Sequence, residues 1–425
     1  MVRLLIDVGP LRRSRDLRVL VAGQVASLLG SQMTVVAVPY QVYKLTGSSL
    51  DVGLVSLATL GPVLVGSLLG GSVVDAFDRR RLLIAVSVAM AAVSVGLAIN
   101  ASARPALWPL FACPALGAGL STFEESALTT VIPNLVRRSE VPAANAMFQA
   151  IFQLGLVVGP AVAGLLLAGA GVRLVYWTDA ATFVVAMLAA LFISPQRPVG
   201  GGRRPGLGSV LEGVRFVRGR QAIQGAFLID IGANAFGLPK ALFPALAATV
   251  FGGGTTTLGL LYAAPGAGAL VGALTTGWVG HVRHQGRAVA VAVIVWGLAI
   301  ACFGLTRSLP VALVLLAVAG WADVISAVFR GAILQLSVPD ELRGRLTGLH
   351  ICVVTSGPRL GDLEAGAVAA AVGNTVSVVS GGLASIASAL LVIGVLPGFR
   401  RQQVVTAVDA AGQVRADDLS TEVTK

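Results

Sequence analysis

The side chains able to do chemistry in this sequence lie where apolar residues surround them. One apolar stretch carries Glu124 and Glu125, and another carries Asp230, Asn234 and Lys240. A third carries Asp323 and Arg330, and a fourth carries Arg359, Asp362 and Glu364. An ionisable group held in hydrocarbon costs about 2.5–3.5 kcal/mol on insertion scales, so each asks for a reason. On one reading these groups face a water-filled cavity. A partly desolvated carboxylate there can hold a proton near neutral pH and trade it between two faces, while unpaired Lys240, Arg330 or Arg359 holds an anionic solute. On the other reading they pin helices together. Asp323 and Arg330, seven residues apart, share nearly one helical face, and Arg359 and Asp362 are one turn apart, so both are expected ion pairs. Asp230 then leads the unpaired candidates, followed by Glu124 or Glu125 and Glu364. Asp179, close to the end of a further apolar stretch, reads as an acid that reaches the lipid headgroups.

The elements that must position these groups follow from composition. Of 425 residues, 56% are apolar and only 12% charged, which calls for lipid as solvent and for helices that satisfy their own backbone groups. Twelve candidate spans run over roughly 18–43, 50–74, 82–103, 106–132, 146–170, 173–194, 221–250, 257–280, 288–306, 309–336, 346–370 and 374–396. The formal charge of +11 would suggest nucleic acid in a soluble protein. Here charge follows topology instead, and no nucleic-acid partner is expected. Of 31 Lys and Arg, Lys44, Arg104, Arg173 and Arg307 fall in the turns of one side and Lys240, Arg330 and Arg359 within spans. The remainder fall on the other side, which predicts both termini in the cytoplasm. Cys113, Cys302 and Cys352 lie in apolar segments without metal or redox spacing and read as packing residues. The first 18 residues lack the apolar core and cleavage site of a signal peptide.

The chain also repeats itself. The stretch from Gly70 to Leu83 joins two apolar segments through a short basic turn, and it returns in weaker form 206 positions later, from Gly277 to Arg287. Gly53 then falls on Gly259 and Gly66 on Gly272. The first copy, with Gly70, Gly71, Asp75, Asp78 and Arg79, resembles the loop between helices two and three of major facilitator transporters. Ala76 and Asp78 depart from that pattern, which usually has Arg and Gly at those places. The resemblance implies that Asp75 faces the start of the eleventh helix, whose N-terminal partial charge favours a carboxylate, and that Arg79 holds this inner gate closed. With Ala76 in place of Arg, a weaker latch is expected. The fifth span carries Gly155, Gly159, Pro160 and Gly164. Small residues four apart let helices approach closely and Pro160 bends the helix. This resembles the fifth-helix signature of antiporters, most of which export. The arginine many drug antiporters carry in the fourth helix is replaced by Cys113. Leu242 to Leu246, Gly259 to Ala264, Gly272 to Thr275, Gly320-Trp321 and Gly344 to Leu349 look like the enterobactin-exporter branch, which also holds multidrug and macrolide efflux proteins.

The resemblance implies an all-α polytopic membrane protein with twelve transmembrane helices in two pseudo-symmetric bundles, residues 1–194 and 221–396. A linker over 195–220 is expected to carry a short amphipathic helix, with Leu207, Val210, Leu211, Val214 and Val217 on one stripe. The tail from 397 to 425 is expected to be disordered and cytoplasmic. The implied function is proton-coupled export of a siderophore-like or drug-like amphiphile from a bacterial cytoplasm across the inner membrane, by a monomer needing no cofactor or metal. The alternative on the same fold is an importer or facilitator. No phosphate-binding Gly-Lys-Ser/Thr loop is present, so ATP hydrolysis is not expected. A membrane enzyme would need a His, Asp or Ser constellation within a span. His281 and His284 lie in a loop and His350 at a helix start. A channel fits poorly with the two-half repeat and asymmetric buried charges.

Overall fold

The computed structural model describes residues 9–196, 215, 217–337 and 340–402, with the side chains of Ser72, Gly280 and 336–352 outside the description. Most of the expected linker helix and residues 403–425 therefore lie outside the described residues. After a short α1 (Gly9–Arg13), the N-terminal half consists of α2 (Arg15–Thr46), α3 (Ser49–Ala76), α4 (Arg79–Ser102), α5 (Trp108–Leu135) and α6 (Val141–Leu191). The C-terminal half consists of α7 (Gln221–Phe236), α8 (Phe243–Thr249), α9 (Gly254–Leu274), α10 (Gln285–Leu305), α11 (Leu309–Ser337), α12 (Asp340–Val372) and α13 (Asn374–Val395), closed by α14 (Pro397–Arg400). Nine segments among the described residues are long and apolar enough to cross a membrane. One of them, Arg138–Leu191, holds two helices, because Gly171 at φ 72° breaks α6 into two arms. Only glycine takes that conformation without a Cβ penalty. α5 and α12 are as long, at 28 and 33 residues, and carry the expected buried charges.

Local chemistry sets the boundaries. The Ser14 and Ser48 hydroxyls cap α2 and α3 by accepting from Leu17 N and Asp51 N, each at 3.2 Å. Asp78 caps α4, accepting from Arg80 N at 2.9 Å and Arg81 N at 3.3 Å, so the departure from the usual glycine supplies a helix start. The turn between α3 and α4 shrinks to Phe77 and Asp78, and Arg79 to Arg81 form the first turn of a helix. The seventh span is not one helix. α7 stops at Phe236, and a 3-10 turn over Lys240–Leu242 follows Pro239 before α8. Gly237 lets the Trp296 ring lie against this break. At the start of the tail, the Phe399 ring is fully buried against Gly225, and α1 is tied to the turn before α6 by an ion pair between Arg13 and Glu140. The Arg13 guanidinium holds the Glu140 carboxyl below the usual carboxylate range.

The repeat appears as matched contacts. Gly53 of α3 lies on the Asp362 carbonyl of α12, and its partner in the repeat, Gly259 of α9, lies on the Pro160 carbonyl of α6. Gly366 faces the Ser49 carbonyl while Gly164 faces the Thr255 carbonyl, and Ser49 and Thr255 are again 206 apart. Gly66 packs on α5 as Gly272 packs on α11. The halves therefore meet along two seams, α3 with α12 and α6 with α9, each made close by glycine.

Both seams are closed at the far end. The far end carries the turns near residues 47, 104, 171, 252, 307 and 373, and the linker end carries the turns near 77, 138 and 279 together with the linker. Along α6 the close approaches to the other half run from Gly164 to Leu156, which meets Gly266; Gly155 then packs on Leu28 of its own half. Along α3 they run from Ser49 to Thr59; Gly66 and Gly70 then pack on α5.

Candidate functional site

The charged groups gather mainly in the C-terminal half, around the α7–α8 break. Asp230 and Arg330 are 1% and 5% exposed, and Arg330 Nη2 lies 2.8 Å from Asp230 Oδ1. Arg330 Nη1 donates to Ser326 Oγ at 2.6 Å and Asn234 Nδ2 donates to Asp230 Oδ1 at 2.8 Å. Two expectations are corrected here. Arg330 pairs with Asp230, not with Asp323, and Asp230 is not an unpaired acid. Seven residues along a helix share a face but are separated by about 10 Å of rise, whereas α7 packs directly across from Arg330. Asp230 Oδ2 and Arg330 Nε remain without partners.

The expected pairing of Arg359 with Asp362 is corrected in the same way. Asp362 accepts from Ser56 Oγ at 2.7 Å and from Ala241 N at 3.0 Å. Arg359 Nε donates to Thr59 Oγ1 at 2.7 Å, and its Nη1 donates to the Thr355 carbonyl. One helical turn brings the two residues to one face, but the hydroxyls of α3 and the free N–H of the helix break draw each side chain to a neighbour. These bonds cross the α3–α12 seam, so Asp362 joins both halves to the α7–α8 break. The Tyr262 hydroxyl donates to the Lys240 carbonyl at 3.0 Å and fixes the other side of that break.

Asp323 and Lys240 keep open surface on their elements, whereas Asp230 and Arg330 are buried. The charges of Arg330, Asp230 and Lys240 reach Asp323, and that of Lys240 also reaches Asp362. On α11, Asp323 is flanked one turn away on each side by buried Ala319 and Ser326. In the other half, Gln24 Nε2 donates to Glu124 Oε1 at 2.9 Å, tying α2 to α5. Glu125 is exposed and Glu364 half-buried. The structure thus brings Asp230, Asn234, Lys240, Asp323, Arg330, Arg359 and Asp362 into one neighbourhood and leaves Glu124 across the bundle. Among the described residues no group of three His, Cys, Asp or Glu is placed to hold a metal ion. Cys113 is half-buried, while Cys302 lies exposed on its helix rather than packed inside.

The sequence motifs divide by task. Gly155 and Gly159 receive Leu28 and Gln32 of α2, and Gly164 receives α9, so the fifth-helix glycines pack both a neighbour and the opposite half. Asp75 is exposed, while Arg79 is 8% exposed and its backbone N–H donates to the Gln196 carbonyl at 3.1 Å. The α12 side chains that Asp75 is expected to face lie outside the described residues. Asp179 was expected to reach headgroups and instead points inward, 2% exposed. It accepts from Thr34 Oγ1 at 2.7 Å and Ser94 Oγ at 2.8 Å, on α2 and α4. Its spacing from small residues on facing helices could not be read from one chain position, and only its burial in an apolar span signalled it.

Two glycine-sealed seams between repeated helical halves, with charges stored around a broken helix, define a major facilitator-type membrane transporter. Solved structures agree on the fold. The nucleoside transporter NupG superposes with a TM-score of 0.73 at 13% identity, over 91% of this chain and 98% of that one. A bacterial homologue of the iron transporter ferroportin, solved in an inward-facing state, gives 0.67 at 17% identity, over 91% and 99%. The chain belongs to the transmembrane secretion effector family of these transporters, whose pattern matches residues 7–422. Among curated relatives, the enterobactin exporter EntS of Shigella boydii is 28% identical over 393 residues, covering 92% of this chain and 93% of that protein. EntS of Escherichia coli O139:H28 matches at the same identity and coverage. The protein is therefore a multi-pass membrane transporter acting on a small molecule.

Proposed function

We propose that this protein exports a siderophore-like or drug-like amphiphile from the bacterial cytoplasm by proton antiport, rocking its halves around the charges at the α7–α8 break. The excess of Lys and Arg at the linker end supports a cytoplasmic placement of that end. On this orientation the far-end seams are the closed outer gate. The observation that carries the reading is the gathering of Asp323 and Lys240 around the buried Asp230–Arg330 pair at the α7–α8 break. An ionised Asp323 is held in balance by nearby cations. A proton taken up from outside neutralises it, and the changed balance at Lys240 alters the hold on an anionic or polar cargo. Export is supported by the names of the curated relatives and by the fifth-helix glycines at the α6–α9 seam.

The test uses everted membrane vesicles with an acidified lumen and enterobactin as probe. An exporter accumulates the probe in the lumen as protons leave. Asp323→Asn is expected to lower this accumulation by roughly tenfold or more, the effect of about 1.4 kcal/mol at one step of the cycle. Equal accumulation by the variant removes Asp323 from the mechanism. Probe that only equilibrates, whatever the proton gradient, points to the facilitator instead.

A further inference from the structure

The buried acid of the N-terminal half has no part in the cycle so far. Asp179 stands on the second arm of α6, eight residues beyond the Gly171 break and hence about 12 Å along the helix from the far end. Every partner it has is neutral. The Thr34 and Ser94 hydroxyls both donate to Oδ2, and Oδ1 has no partner at all. Among the described residues no Lys, Arg or His nitrogen forms an ion pair with it. The titratable groups nearby are the phenol of Tyr176, which donates to Gln41 Oε1 at 2.7 Å, and beyond it the Cys113 thiol of α5. On α2 the nearest cation, Lys44, is exposed over the Tyr40 ring, and Arg173 of α6 is exposed. α4 offers only Ser94.

The fit around Oδ1 is specific. A Cβ placed on Gly30 of α2 would lie 2.5 Å from Asp179 Oδ1 and would also strike the Thr182 hydroxyl. Glycine therefore lets α2 close directly over the unpartnered oxygen. A bare carboxylate in this cation-free place carries a desolvation cost that the two hydroxyls, both on Oδ2, offset only in part, and a neutral carboxyl does not.

We propose that Asp179 is a second proton-binding site, built into the N-terminal bundle and separate from the charges of the C-terminal bundle. On uptake, a proton from water at the far end forms an O–H bond at Oδ1 and leaves the group neutral. On release that bond breaks and the proton returns to water. Gly30 covers Oδ1 in the present arrangement, so exchange requires α2 to shift against α6, which couples protonation to the motion of the bundle. The transport part of this proposal rests on the export reading above, and the spectroscopic part does not.

The experiment records infrared spectra of the full chain in lipid at neutral pH. The wild type minus Asp179→Asn difference is expected to contain the C=O band of a protonated carboxyl. Thr34→Val keeps the acid but removes one donor, and it is expected to shift that band, which answers the question even where the Asn variant does not fold. A difference containing only an ionised carboxylate overturns the proposal. So does a protonated band that sodium chloride erases at fixed pH, which would assign the site to a metal cation. In everted vesicles, Asp179→Asn is expected to lose proton-driven enterobactin accumulation while keeping downhill exchange of the same probe. Accumulation at the wild-type level and pH profile overturns the role in coupling. If the wild type does not accumulate enterobactin, the export reading falls, and the infrared difference still decides the site.

Discussion

Taking the charge from Asp230 leaves the Arg330 guanidinium bare in a dry site. Breaking a buried pair from one side costs about 3–5 kcal/mol, whereas replacing both partners by apolar groups of similar volume is often neutral. Asp230→Asn and Arg330→Met are each expected to lower the thermal unfolding midpoint in detergent, and Asp230→Leu with Arg330→Met is expected to recover most of it. Equal losses in all three proteins would mean that the pair does not hold α7 to α11. The presence of these charges was legible in the sequence, since ionisable residues in apolar stretches stand out. Their partners were not. Positions three and seven apart on one helix suggested pairs within α11 and within α12, and the true partners came from α7 and α3, whose placement no local spacing encodes. Asp179 shows the same limit. Its burial depends on the small Gly30 and on two hydroxyls contributed by two other helices.

At the scale of elements, spans were readable wherever apolar length alone decides them, and least readable where a helix bends or breaks. The α7–α8 break is written in Gly237 and Pro239, yet a run of apolar residues on both sides hid it. The repeat was visible in glycine spacing, and the structure supplies its reason: the related glycines make equivalent contacts at the two seams. Gly259 is therefore a position where size decides function. A side chain there meets the backbone of α6, with the Pro160 carbonyl 2.6 Å from its Cβ. Gly259→Val is expected to hold the far end apart. A single cysteine at Ala168, in a variant with the native cysteines replaced by serine, would then react with an impermeant thiol reagent several-fold faster. Unchanged labelling would mean that this glycine does not control closure at the far end.

For the whole molecule, the account depends on the two ends opening in turn. The seams are closed over the far half, and Asp362 and Arg359 bond across one of them to α3 beside the central charges. Two spin-label pairs on the cysteine-free background read both ends of one seam. Ala168 with Gly253 spans the far end of α6 and α9, and Ser139 with His281 spans their linker end. Acidification in the presence of enterobactin is predicted to lengthen the first distance and shorten the second. Distances that stay fixed, or that lengthen together at both ends, would contradict alternating access in this protein.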